Sequence, residues 1–160
     1  MNVELLEAYE RLDDIRKLFS EYAAWLKIPL DFQNFDEELA SLPGKYAKPD
    51  GRLYLALAGG EPAGCIALRY FDTSMNGEKR CEMKRLFVRD QYKGHGLGRQ
   101  LAERVIDDSR IIGYAEMLLD SFAFMESAVA LYRKLGFEET EPYRFNPYEN
   151  VLYLRLDLKK

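Results

Sequence analysis

The stretch that most restricts how this chain can fold is Arg89-Asp-Gln-Tyr-Lys-Gly-His-Gly-Leu-Gly-Arg-Gln-Leu101, in which Gly94, Gly96 and Gly98 alternate with other residues. The apolar run Leu86-Phe87-Val88 leads into it and an amphipathic helical pattern follows. Glycine allows the backbone to bend through positive φ and lets a ligand approach the main chain. A helix start adds unpaired N–H groups and the positive end of the helix dipole, which together favour a phosphate. A strand, a glycine loop and a helix in this order predict a pyrophosphate cradle, and with it an α/β fold.

Charge supports a polyanionic ligand at that place. Between Lys79 and Arg104 eight basic residues face three acids, a net +5, while the whole chain carries −4, so the remainder holds −9. A basic patch around a glycine loop in an otherwise acidic surface argues against a general nucleic-acid binder. The alternative is an ordinary solvated face. At 160 residues, the chain is expected to form one domain over 1–160 with a substantial core. No apolar run is long enough to cross a bilayer, and the start, Met-Asn-Val-Glu-Leu-Leu-Glu, lacks the pattern of a signal peptide. Cys65 and Cys81 have no metal-type spacing. These readings predict a reduced, cytoplasmic protein with no membrane or nucleic-acid partner.

Periodicity orders the elements. Asn2–Glu7 reads as an edge strand, and Leu12, Ile15, Leu18, Phe19, Tyr22, Trp25 and Leu26 mark one face of a long helix. Lys27–Gln33 reads as a loop. A short helix opens at Asp36, with Leu39 and Leu42 inward, and closes at Pro43-Gly44. Strands follow at Arg52–Ala58, Pro62–Phe71 and Arg80–Arg89, separated by turns at Gly59-Gly60 and Asp72–Lys79. After the glycine loop, Leu97, Leu101, Val105 and Ile112 mark a helix that ends near Gly113, and Tyr114–Asp120 is a strand. Met125, Ala128, Leu131, Tyr132 and Leu135 form the stripe of another helix, closed by Gly136. Phe137–Glu141 and Val151–Leu158 are strands around an aromatic loop. The order is an antiparallel meander followed by a β-α-β-α-β half.

Two motifs together resemble one known family. Leu86-Phe-Val-Arg-Asp-Gln-Tyr-Lys-Gly-His-Gly-Leu-Gly-Arg-Gln-Leu101 is similar to the acetyl-CoA-binding motif of the GNAT N-acetyltransferases. Ala128-Val-Ala-Leu-Tyr-Arg-Lys-Leu-Gly-Phe-Glu138 resembles that family's second cofactor motif. The resemblance implies the acyl-CoA N-acyltransferase fold: a central mixed, mostly antiparallel sheet splayed between two parallel strands and flanked by about four helices. It places acetyl-CoA, the co-substrate, between strands Arg80–Arg89 and Tyr114–Asp120. The pantetheine arm would pair with main chain at Leu86, Phe87 and Val88, and the diphosphate with N–H groups of Lys93, Gly94, His95, Gly96, Leu97, Gly98 and Arg99. Lys93 stands where the family most often has Arg or Gln, and its charge lacks the planar fork. Met125 stands where many members have Asn, which leaves Ser121 or Ser127 as the polar contact to pantetheine.

Acyl transfer to an amine requires proton removal, stabilisation of the carbonyl oxygen and protonation of the departing thiolate. The resemblance assigns the last role to Tyr132, whose phenol titrates in the general range of a thiol; by spacing alone it is a core tyrosine. Glu82, inside a strand, is either the base or one half of a charge pair with Lys84, Arg85 or a neighbouring strand. The oxyanion falls to a backbone N–H near Phe87 or Val88. His95 is the only histidine, and no metal is implied. The family's acceptor site nominates Trp25, Ile28, Phe32, Tyr143, Phe145 and Tyr148, with Asp31 and Glu38 as partners of the amine; the aromatics among them read equally as core, and Trp25 reads as core before site. The acceptor itself is a primary amine of a small molecule, peptide or protein, and the assembly a monomer or homodimer.

Rival glycine loops have other spacings. A dinucleotide fold needs Gly-x-Gly-x-x-Gly, and a Walker loop needs Lys-Ser/Thr after its last glycine, where Arg99-Gln100 stands here. A non-catalytic acyl-CoA-binding module and an enzyme for longer acyl-CoA remain alternatives.

Overall fold

The computed structural model describes residues 1–30 and 34–159. Seven strands form one sheet in the order β1-β2-β3-β4-β5-β7-β6. They are β1 (Val3–Glu7), β2 (Arg52–Ala58), β3 (Glu61–Thr73), β4 (Lys79–Val88), β5 (Glu116–Phe122), β6 (Glu138–Glu139) and β7 (Val151–Asp157). Helices α1 (Leu12–Leu26), α2 (Phe35–Ala40), α3 (Leu97–Ile112) and α4 (Glu126–Lys134) cover it. All strand pairs are antiparallel except β4–β5. This is the mixed, mostly antiparallel sheet with four helices that the sequence leads one to expect.

Alternation along β2 shows why there are two cores. Leu53, Leu55 and Leu57 join Ile15, Leu18 and Phe19 of α1 on one face. Tyr54, Ala56 and Ala58 join Leu97, Leu101 and Val105 of α3 on the other. Burying each such Leu, Ile or Phe contributes roughly 1.5–3 kcal/mol, which offsets the cost of ordering the helices. Gly64 of β3 lets the sheet close tightly at its centre, since a Cβ there would sit 2.7 Å from the Phe87 carbonyl. α3 and α4 end at Gly113 and Gly136, where the next two N–H groups turn back to the last carbonyls.

Two boundaries differ from the sequence reading for physical reasons. The strand expected over Phe137–Glu141 is regular only at Glu138–Glu139, with one further bond from the Thr140 N–H to the Tyr153 carbonyl at 2.8 Å, because Pro142 offers no N–H to continue the ladder. β5 runs on to Phe122 because β7 pairs with it along its whole length, from Glu116↔Asp157 to Phe122↔Val151.

Two irregularities position the site. β4 and β5 are paired only at Arg80↔Glu116, Cys81↔Met117 and Glu82↔Leu118, and then they diverge. β4 also bulges: Cys65 and Ala67 of β3 face Phe87 and Lys84, so one extra residue is accommodated there. Arg85 lies in this bulge with φ +62 and is buried. A left-handed conformation is uncommon for a residue with a side chain, and two contacts hold it. Its guanidinium donates to both Glu38 oxygens at 3.0 and 2.9 Å, and its carbonyl accepts from Cys65 Sγ at 3.4 Å.

Candidate active site

Beyond Glu82 the diverging strands leave a cleft of about 570 Å³. Leu86, Phe87 and Val88 of β4 form one wall, Ser127, Ala128 and Leu131 of α4 the other, and the glycine loop one end. Gly94 and Gly96 have φ +84 and +79. An L side chain would strain both positions, so the sequence needs glycine there. Gly98 is different. It lies inside α3, where a Cβ would meet Leu131 Cδ2 at an ordinary 3.7 Å, so its value is open space beside the cleft. The first N–H groups of α3 have no partner within the helix, which suits an anion.

Most residues nominated from sequence for the cofactor gather here, and some do not. Lys93, Gly94, Gly96, Leu97 and Gly98 line the cleft. The side chain of His95 is exposed and Arg99 pairs with Glu103, both away from the lining. Lys93 is paired with Asp90 at 2.9 Å and lies 5.2 Å from the Trp25 ring centre. Trp25 is therefore not core. It is 41% exposed and forms a lip of the cleft with Phe124. Ser127 is on the cleft wall, whereas Ser121 is buried deeper and donates to Met125 Sδ at 3.6 Å.

A second, smaller pocket of about 40 Å³ lies at the splay and shares Tyr22, Leu86 and Met125 with the cleft as walls. Its polar lining is Lys84, Arg85, Asp120, Ser121, Tyr132 and Asn146 together with Tyr22. Tyr132 reaches it from the buried face of α4 and packs edge-on against Phe137. Burial pushes its phenol well above the usual range, and the nearby Tyr22 and Asp120 act in the same direction, so it stays protonated at neutral pH, the state a proton donor needs. It is also a weaker acid than the match to a thiol expected from sequence.

Glu82 is fully buried and already saturated. It accepts from Tyr143 at 2.7 Å and from Arg69 at 3.2 Å, and it forms a close ion pair with Arg144. Of the partners the sequence offers, Lys84, Arg85 or a neighbouring strand, the last is present as Arg69 of β3, and the loop before β7 adds Tyr143 and Arg144. Glu38, nominated for the amine, is engaged by Arg85 across 47 residues of chain. Of the other acceptor nominees, Ile28 packs against the α1-side core and Tyr148 donates to the Pro29 carbonyl at 3.2 Å. Phe145 is 77% exposed and lines neither pocket. Asp31 and Phe32 lie outside the described residues. Arg85, Lys84 and Asp120 were not singled out as site residues by sequence. Their signal in the sequence is charge inside strands, and in β4, half charged over Lys79–Val88, it does not set Lys84 or Arg85 apart from their neighbours.

With this geometry in place, known proteins can be compared. The sequence profile of the Acetyltransferase (GNAT) family matches residues 12–137. The chain belongs to the GNAT family. An uncharacterised N-acetyltransferase of Schizosaccharomyces pombe is 38% identical to this GNAT protein, over 100% of the chain and 96% of the relative. A GNAT-family acetyltransferase structure from Staphylococcus aureus superposes with a TM-score of 0.78 at 20% identity, covering 98% and 99% of the two chains. An acetyltransferase from Salmonella typhimurium, solved with acetyl-CoA, superposes with a TM-score of 0.69 at 18% identity, covering 98% and 94%. The two structures establish the GNAT fold, and the family establishes an acetyl-CoA-dependent N-acetyltransferase.

Proposed function

We propose that this acetyltransferase moves the acetyl group of acetyl-CoA to a primary amine by direct attack in a ternary complex. The observation that carries the reading is the junction at Leu86 and Met125, where the long cleft meets the small polar pocket containing Tyr132. In this reading the loop N–H groups from Gly94 to Arg99 hold the diphosphate, since the N–H of Lys93, expected among them from sequence, already donates to the Asp90 carbonyl at 3.2 Å. The free main chain of Leu86–Val88 receives the pantetheine arm as an added strand, and Ser127 flanks it. A backbone N–H near Phe87 or Val88 stabilises the developing oxyanion. Tyr132 protonates the sulfur as it leaves. The Salmonella structure, whose acetyl-CoA accompanies the same fold, supports acetyl-CoA as the donor.

Glu82 acts as an anchor in this scheme. Taking up a proton would weaken its bonds to two guanidiniums and a phenol, so its work is to hold Tyr143 and Arg144 over the acceptor side. The small volume at the splay has room for only a few waters, which suits an acetyl group rather than a long acyl chain. The test is a panel of small-molecule, peptide and protein amines, with free thiol released from acetyl-CoA as the readout. At least one amine should give thiol and acetylated product, and Tyr132→Phe should slow turnover while acetyl-CoA still binds. Tight acetyl-CoA binding with no thiol release from any amine would make the protein a non-catalytic acyl-CoA-binding module.

A further inference from the structure

An amine that arrives as an ammonium must lose a proton before it can attack, and Glu82 is ill suited to take it. Among the described residues, the other ionisable groups lining the small pocket are Tyr22, Lys84, Arg85, Asp120 and Tyr132. On β4, Glu82 and Lys84 lie on the face opposite Cys81 and Met83, which enter the α3-side core. On β5, Asp120 lies on the face opposite Met117 and Leu119 of that same core. Lys84 and Asp120 both line the small pocket that contains Tyr132. Asp120 Oδ2 is buried and has no hydrogen-bond partner among the described residues. A buried carboxylate oxygen in that state calls for a cationic or N–H donor.

We propose that Lys84 is the proton acceptor of the acetyl transfer, with Asp120 as the positioning carboxylate that draws the ammonium of the acceptor into the pocket. The proposal rests on the acetyl-transfer reading above. Neutral Lys84 Nζ takes one proton from the acceptor ammonium and becomes an ammonium itself. The freed amine nitrogen attacks the thioester carbonyl carbon, and the C–S bond breaks. Sulfur takes a proton from Tyr132, and the second N–H proton of the adduct restores the phenol. Lys84 then releases its proton to solvent, so the amine gains an acetyl group and one proton leaves overall.

Electrostatics fits the role. Lys84 is half-buried at the pocket wall, and desolvation pushes its amine down to about 7. Arg85 and Arg144 push the same way, and Glu82 and Asp120 oppose. Tyr22 and Tyr132, the other titratable groups that line the pocket among the described residues, are held protonated by burial. A general base works best when its own pKa lies near the working pH, and a desolvated lysine is one way to supply it.

The test follows kcat against pH, with the fastest amine of the panel at saturation, for wild type, Lys84→Met, Lys84→Arg and Asp120→Asn. Acetyl-CoA affinity is measured for each by calorimetry. Wild-type kcat should fall about tenfold per pH unit below about 7 as Lys84 becomes protonated. Lys84→Met should lose that limb and about 100-fold or more of its turnover at pH 8, with acetyl-CoA affinity unchanged. Lys84→Arg keeps a long cation and cannot accept the proton, so it should show the same loss even if the Met variant folds poorly. Asp120→Asn should move the limb to lower pH, because the Asp120 charge helps to keep the proton on Lys84. An unmoved limb in both Lys84 variants overturns the assignment, as does loss of all turnover at every pH in Asp120→Asn, which would make the carboxylate the acceptor. An acetyl adduct on Lys84 itself after exposure to acetyl-CoA also overturns it, since the nitrogen would then be a nucleophile. Thiol release from no amine by wild type defeats the acetyl-transfer reading, and this inference with it. An active wild type with unchanged variant profiles defeats the inference alone.

Discussion

The two ends of the splay are built from different materials. The cleft end is mostly backbone: two glycines at positive φ, the first turn of α3 and the free edge of β4. The pocket end is side-chain charge, with Glu82 and Arg85 enclosed by their ion partners and Lys84 and Asp120 at the wall. Backbone recognition reads only the shape and charge of a phosphate or an amide, and it tolerates wide sequence change. Buried charges are costly to place and sensitive to each neighbour. On the proposed reading, the donor half rests mainly on main chain and the acceptor half on buried charge.

Substitutions on either side of this divide should fail differently. The largest effect is expected at the junction, where Tyr132→Phe should lower kcat by about 10²–10⁴-fold with acetyl-CoA affinity unchanged; an equal loss of affinity would place Tyr132 in binding rather than proton transfer. On the charged side, Glu82→Ala leaves Arg69 and Arg144 without their carboxylate and should cost about 3–5 kcal/mol of stability, read from the urea midpoint. On the backbone side, Gly96→Val forces a branched side chain to φ +79, at a cost of roughly 1–3 kcal/mol, seen as weaker acetyl-CoA binding by calorimetry. A clear drop in melting temperature with no change in affinity would remove that glycine from the donor site.

Lys84 links the charged end to stability. Folded, its amine loses its proton near 7, while in the unfolded chain a lysine keeps it to about 10.4. Between those values the unfolded state binds more protons, so stability should rise with pH, by at most about 1.4 kcal/mol per unit. In Lys84→Met that contribution should be absent from denaturation curves at pH 7 and 9. The smallest effect is expected for Lys93→Ala. Lys93 is exposed and already paired with Asp90, so acetyl-CoA binding should weaken by less than about 1 kcal/mol, and less still at high salt.

The same divide explains what could be read from the sequence. The glycine loop, the helix stripes and the strand alternation are local patterns, and the cleft end follows from them. The clamp on Glu82 joins residues 61 and 62 positions apart, and the Arg85–Glu38 pair spans 47. No local period encodes such partners. The bulge at Arg85 was equally silent, because nothing in Lys84-Arg85-Leu86 marks a left-handed residue. Trp25 misled in a simpler way: it lies on the helix stripe near the end of α1, where the stripe runs past the edge of the sheet and onto the cleft lip. Asp120 stands at the expected end of its strand, and its place on the pocket wall follows from β7 carrying β5 past it to Phe122.

The early parting of β4 from β5 has a consequence for the life of the chain. It creates two strand edges in the interior of a sheet, a place where most proteins have none, and an unpaired edge is an invitation to any extended segment. Whatever fills the gap adds its binding energy to folding, about 2.7 kcal/mol when present at a hundred times its dissociation constant. The abundance of this acetyltransferase would then follow the supply of its own donor, and a cell short of acetyl-CoA would hold less enzyme able to spend it.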